Sequence, residues 1–259
     1  INEIKGNFMF SPRKSILNTE SYKPNFGTSR AKNFIRLSAN ENPLGCSKNV
    51  KKVLNNIEFS RYPPQNSIEL VEAIANRHKI NKNKIILSNG SDELISIIAQ
   101  AFLEKNDEAI YTEFGFLQFP QAIKIAGGKA IMAKDIEFKV SIENILQKVT
   151  KKTKLIFLAN PNNPTGTMVK KNEIKKLVEK LPKNILFVYD AAYAEYLDRK
   201  DYETGISLVK KHENVIMLRT FSKLHGLAGL RLGWGFCSEN LIKILMSVRG
   251  PFSVNILAI

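Results

Sequence analysis

Short apolar runs rich in β-branched residues recur along the chain with amphipathic stretches between them, and this alternation limits the fold more than any other feature. The runs are "KIILSNG", "EAIYTE", "GGKAIMAK", "KLIFLAN", "NILFVYD", "NVIMLRT" and "RLGWGFC". Each has strand length, and several are apolar at consecutive positions, as a strand must be when both faces of its sheet are covered. Between them, "SIELVEAIANRHKI" repeats apolar residues at helical spacing and places Ile68, Val71, Ile74 and Ala75 on one face. "SDELISIIAQAFL" opens with the capping residues Ser91 and Asp92, and "KKNEIKKLVEKL" is another helical stretch. The pattern predicts an α/β domain built on a mainly parallel seven-stranded sheet with helices on both faces. Residues 1–38, with Pro12, Pro24 and Gly27 among polar residues, read as an N-terminal arm.

Ligands of such sheets collect beyond the carboxyl ends of the strands, so the residues there are the first candidates for function. After "KIILS" come Gly90, Ser91 and Asp92, where a strand turns into a helix whose free N–H groups and positive dipole end suit a phosphate. Taken alone that turn is a weak signal. Arg231 and the hydroxyls of Thr220 and Ser222 would complete an anion site. Asp190 closes an apolar strand, where a carboxylate is costly unless paired. It reads either as a helix N-cap or as the partner of a protonated heterocyclic nitrogen. Tyr193 and Asn163 would then bond something flat and oxygenated, although Asn163-Pro164 is also ordinary turn chemistry. Lys223 follows Ser222 beyond "VIMLRT", and a lysine at a strand end beside another cation can be held partly deprotonated as an amine nucleophile. A lysine, a carboxylate for a ring nitrogen, donors for a phenolic oxygen and a phosphate cradle, in this order, describe a site for pyridoxal 5'-phosphate.

Other chemistry is less well supported by the sequence. The chain is 44% hydrophobic and 24% charged, which are globular proportions, and its longest apolar runs are too short to span a bilayer. The first residues lack the apolar core and cleavage site of a signal peptide, so a soluble cytoplasmic protein with no membrane partner is expected. Cys46 and Cys237 form no CxxC pattern and read as thiols, and the isolated His78, His212 and His225 argue against a metal site. The net charge of +15 is spread as lysine pairs such as Lys51-Lys52 and Lys175-Lys176 along predicted helices, which reads as solvated faces and no nucleic-acid partner. Residues 1–38 hold no helix-turn-helix, so a ligand-sensing module of a transcription regulator is disfavoured. The positive field would favour an anionic substrate.

Seven segments resemble those of fold-type-I pyridoxal-phosphate aminotransferases: "LSANENPLG" at 37–45, "RYP" at 61–63, "SNGSDE" at 88–93, "NPNNPTG" at 160–166, "YDAAYAEY" at 189–196, "TFSKLHGLAGLRLGWGF" at 220–236 and "RGPFSVNILA" at 249–258. "SANENPLG" with "RGPFSVN" is similar to the histidinol-phosphate branch. The resemblance implies that Lys223 forms the covalent link to the cofactor and shuttles the proton, and that Asp190 pairs with the pyridine nitrogen. Tyr193 and Asn163 would hold the phenolic oxygen. Gly90, Ser91, Asp92, Thr220, Ser222 and Arg231 would bind the phosphate, with Tyr62 reaching that of a neighbouring subunit in a homodimer. Phe116, in preference to Phe114, would stack on the ring, and Tyr22 and Asn40 would meet the substrate. The implied reaction moves an amino group between L-histidinol phosphate and 2-oxoglutarate. Action on aromatic amino acids, or a lyase like threonine-phosphate decarboxylase, are the alternatives.

The resemblance also implies the organisation. Residues 1–45 would form the arm and the start of a small domain, 46–245 the large cofactor-binding domain, and 246–259 the start of a connection to a C-terminal small domain. That further domain would supply an arginine for the substrate carboxylate. The sequence stops inside what reads as an apolar helical pattern, so a partial sequence is expected.

Overall fold

The computed structural model describes residues 13–17, 37–53 and 57–259. The strands are β1 (Ile85–Ser88), β2 (Glu108–Thr112), β3 (Lys129–Ala133), β4 (Thr153–Ala159), β5 (Leu186–Asp190), β6 (Val215–Thr220) and β7 (Gly233–Phe236). They form one seven-stranded sheet in the order β1-β7-β6-β5-β4-β2-β3. β3, β2, β4, β5 and β6 pair in parallel, whereas β7 lies antiparallel to both β6 and β1. The mainly parallel α/β sheet read from the sequence is therefore the architecture, and its strands are the seven apolar runs.

The helices are α1 (Lys14–Leu17), α2 (Lys48–Val53), α3 (Ile68–His78), α4 (Ser91–Phe102), α5 (Gln118–Ala126), α6 (Ile142–Gln147), α7 (Lys171–Lys180), α8 (Ile206–Lys211) and α9 (Glu239–Val248). Strand side chains alternate between faces, and the two faces are covered by different helices. Phe187, Tyr189 and Met217 pack with Ile74 of α3, Ile145 of α6, Leu177 of α7 and Leu208 of α8. On the other face Phe157, Val188 and Leu218 pack with Leu94 and Ile98 of α4, Phe119 of α5 and Leu245 of α9. Fully buried side chains such as Phe119, Phe157 and Ile98 each contribute roughly 1.5–3 kcal/mol, which makes this double-sided core the platform for the strand ends.

Three local expectations are corrected. Ile68 is 66% exposed and lies off the buried face of α3. Ser67 caps that helix through its hydroxyl and Leu70 N, so Ile68 is the first helical residue, and the buried positions are Ile74 and Ala75. α4 is capped by Gly90, with φ at 79°, and Ser91 and Asp92 are its first helical residues, not its caps. The φ of 79° favours glycine at this position, and an added Cβ would also displace the Arg231 guanidinium. The stretch after Arg249 forms turns and not a helix. Pro251 cannot continue the ladder of α9, and Phe252 takes a left-handed φ of 55°.

β7 lies so close to the β1–α4 turn that a Cβ on Gly233 would meet Ser91 N and the Gly90 backbone. Gly233→Ala should cost about 1–3 kcal/mol, by the overpacking argument, and lower the midpoint of urea denaturation. An unchanged midpoint would mean that the turn has room to move.

Candidate active site

A cavity of about 650 Å³ opens at the carboxyl ends of the parallel strands. Its wall includes Ser91 and Asp92 after β1, Phe116 after β2, Asn163 after β4, Asp190 and Tyr193 at and after β5, and Thr220, Ser222, Lys223 and Arg231 after β6. Positions more than a hundred residues apart in the sequence thus meet because five strands end along one edge.

One end of the cavity is a donor cradle. The first turn of α4 presents its N-terminal N–H groups there, uncapped by any side chain. Ser222 N donates to Thr220 Oγ1 at 3.1 Å, and Thr220 Oγ1 donates to Ser222 Oγ at 3.0 Å. Arg231 Nη1 donates to Ser222 Oγ at 3.3 Å and to Ala228 O at 3.2 Å, while Nη2 faces Asp92 Oδ2 at 3.2 Å. Arg231 itself sits at φ 53°, a left-handed conformation that a non-glycine residue adopts at a cost of about 1 kcal/mol or more. Glycine at position 90 is what lets the guanidinium lie against the turn. Helix N–H groups, two hydroxyls and a guanidinium around one space make an anion site.

Deeper in the cavity stands Asp190, 5% exposed at the end of β5. Its Oδ1 accepts from Ala192 N at 3.0 Å, a local turn contact that is not the cap of a helix. Burial pushes its carboxyl up to about 7; the Ala192 hydrogen bond opposes the shift, the Asp92 charge adds to it and the Lys223 charge opposes it. Lys223 is half-buried, and its Nζ donates to Ala39 O at 3.0 Å and lies 5.7 Å from the centroid of the Tyr193 ring. Burial lowers its pKa, Asp92 and Asp190 work against that shift, and the Arg231 charge adds to it. The amine is therefore easier to deprotonate than a solvated lysine.

The segment at residues 38–41 closes another side of the cavity. Asn42 Nδ2 donates to Leu224 O at 2.7 Å, and the turn at Gly226 is packed so tightly against Gly45 and Cys46 that a Cβ there would overlap their backbone. Asn40, held at φ 52°, donates from Nδ2 to the Tyr193 hydroxyl at 2.9 Å and to Asn163 Oδ1 at 3.4 Å. Phe116 lines the cavity with its ring edge-on to Phe119. Phe114 instead packs on Phe138 and is absent from the wall.

Two of the sequence-read residues stand apart. Tyr62 is 81% exposed, stacked on Phe252 at 4.7 Å and outside the cavity. Tyr22 lies outside the described residues. Ala39, Glu41 and Gln118 are among the wall residues that were not singled out from the sequence. Ala39 acts through a backbone carbonyl, which no side-chain motif signals. Glu41 lies inside the quoted "SANENPLG" stretch and had a signal to follow, whereas Gln118 had none.

The family described as aminotransferase class I and II matches residues 32–258. The histidinol-phosphate aminotransferase of Pelagibacter ubique (strain HTCC1062) is 44% identical over 250 residues, covering 95% of this chain and 69% of that protein. That of Maricaulis maris (strain MCS10) is 40% identical over 253 residues, covering 96% and 69%. The crystal structure of histidinol-phosphate aminotransferase from Sinorhizobium meliloti in complex with pyridoxal-5'-phosphate superposes with a TM-score of 0.81 at 26% identity. That match covers 85% of this chain, which spans 60% of the length of the S. meliloti chain.

The raised pKa of Asp190 has a thermodynamic consequence. The folded state keeps a proton that the unfolded chain releases between pH 3.8 and about 7, so this group makes stability fall as pH rises through that window. At pH 8 the ionised, buried carboxylate costs the ligand-free fold at most on the order of 4 kcal/mol. Asp190→Asn, which removes the charge and keeps the shape, should therefore melt higher than the ligand-free native protein at pH 8 and lose that advantage at pH 4. A variant with the same deficit at both pH values would show that the carboxylate is already paired within the protein.

Proposed function

The chain belongs to the class I and II aminotransferases, and from that premise we propose that it is the pyridoxal-phosphate-binding portion of an enzyme that moves an amino group between L-histidinol phosphate and 2-oxoglutarate. The observation that carries this reading is the convergence of Lys223, Asp190 and the donor cradle on one cavity. The residues fit the cofactor by their own chemistry. The cradle offers hydroxyl, guanidinium and helix N–H donors to a phosphate, and Gly90 keeps it open. A buried carboxylate whose charge is costly is matched by a protonated ring nitrogen.

When bound, pyridoxal phosphate supplies an aldehyde that takes up amines covalently and a pyridinium ring that draws electrons from the amine's α-carbon. Asp190 holds the proton on that ring nitrogen by accepting its hydrogen bond. Tyr193 and Asn163 donate to the phenolic oxygen, and Asn40, now bonded to both, orients the pair. Phe116 covers the ring and excludes water. Lys223 would hold the cofactor covalently through Nζ, and its free amine would accept a proton from the substrate's α-carbon and return it. Burial favours the neutral amine that this step requires. The reading includes a cytoplasmic homodimer in which the exposed Tyr62 serves the partner's phosphate site, and no helix among the described residues is long and apolar enough to cross a membrane.

The experiment is a half-reaction. With pyridoxal phosphate bound and no keto acid present, L-histidinol phosphate should convert the visible band to that of the amine form, and 2-oxoglutarate should restore it. Release of carbon dioxide from O-phospho-L-threonine, or conversion by aromatic amino acids alone, would overturn the substrate assignment. Lys223→Ala should fold as the native chain does and slow the half-reaction by about 10²–10⁴ or more, the usual worth of a positioned acid–base group.

A further inference from the structure

We propose that the buried ion pair between Arg219 and Glu195 is a positioning device for the site, holding the turn that carries Tyr193 in register with the loop that carries Lys223. The proposal rests on the reading of the cavity as a pyridoxal-phosphate site. Arg219 stands one residue before Thr220 on β6 and, by strand alternation, points to the face opposite it, with Val215 and Met217. Its Nη1 donates to Glu195 Oε1 at 2.6 Å and its Nη2 to Thr204 O at 3.0 Å. The two side chains are only 5% and 18% exposed.

The β5–β6 ladder shows why such a tie is needed. It runs to the Asp190–Leu218 pair, and the final backbone link is Ala191 N to Leu218 O at 2.9 Å. Beyond that point the chain of β5 leaves the sheet into the turn bearing Tyr193, while β6 runs on beside β7 alone to Thr220 and then leads to Ser222 and Lys223. The ion pair bridges them just past the end of the ladder. Within the turn, Ala194 N bonds Ala191 O at 3.0 Å and Tyr196 N bonds Tyr193 O at 3.1 Å, so an anchor at Glu195 fixes Tyr193 as well.

Burying two ions brings little net stability, because desolvation offsets their attraction, so a geometric role accounts better for the pair. The His78 ring packs on Trp234, the neighbour of Arg219 across the β6–β7 ladder, and burial, then the Arg219 charge, lowers its pKa. Among the described residues Arg219 Nε has no hydrogen-bond partner, and the guanidinium is held from Nη1 and Nη2.

The test compares Glu195→Gln, Tyr193→Phe and the double variant by two readouts. The first is the pH midpoint of the visible band of bound pyridoxal phosphate. Glu195→Gln should move it in the same direction as Tyr193→Phe, and should add nothing in the Tyr193→Phe background, the mark of two groups acting as one. The second is amide exchange at Ala194 and Tyr196 in the cofactor-free protein, which Glu195→Gln should accelerate about tenfold or more as the turn opens locally. Arg219→Lys keeps the charge but cannot reach both oxygens with one planar group, and should give a smaller shift of the same sign. An unmoved midpoint, or shifts that add in full, would overturn the proposal, as would unchanged amide exchange. If the native chain forms no band while exchange still accelerates, the cofactor reading fails and the mechanical coupling stands.

Discussion

Asp190 leaves β5 at a depth where a carboxylate is costly unless a cation faces it, and much of the site is arranged around that cost. The strand cannot move outward to solvate the group, because Phe187, Val188 and Tyr189 are locked into cores on both faces of the sheet. What the protein supplies itself is modest: one backbone hydrogen bond and the more distant charge of Lys223. In the proposed reading the remaining compensation comes from the protonated ring nitrogen of bound pyridoxal phosphate. Asp190 and Lys223 also oppose each other's shifts: the lysine charge favours the ionised acid and the carboxylate charge favours the protonated amine, against the burial that disfavours both.

The second organising element is the close approach of β7 to the start of α4. Gly233 allows it by leaving room for the backbone of Gly90 and Ser91, and Arg231 occupies the space that the missing side chain of Gly90 leaves. The antiparallel direction of β7 matters here. The chain leaves β6 with Ser222 and Lys223, turns at Gly226 and re-enters the sheet next to the β1–α4 turn. A single excursion between β6 and β7 thus delivers the amine and the guanidinium from opposite ends of one loop.

Much of this was legible in the sequence because it depends on local signals. Apolar runs named all seven strands, and the residues just past them named the acid, the amine and the donor cradle of the cavity wall. Where the reading failed, the deciding interaction was non-local. Ser91 and Asp92 look like caps, but the cap is Gly90, whose φ of 79° favours glycine and against which the guanidinium of Arg231 lies. Ile68 matches the helical period, but a cap one residue earlier turns it outward. The apolar pattern after Arg249 has helical spacing, yet Pro251 and the left-handed Phe252 break it. The Ala39 carbonyl facing Lys223, and the tie from Arg219 to Glu195, join segments that no spacing rule connects.

The account stands or falls on Lys223 being the residue that bonds the cofactor. The direct measurement is to load the purified chain with pyridoxal phosphate, reduce it with borohydride, digest it and locate the modification by mass spectrometry. The account predicts a single stoichiometric label on the peptide containing Lys223, lost when Asp190 is replaced by an apolar residue that weakens cofactor binding. Label spread over surface lysines such as Lys51 and Lys175, with Lys223 unmodified, would contradict it.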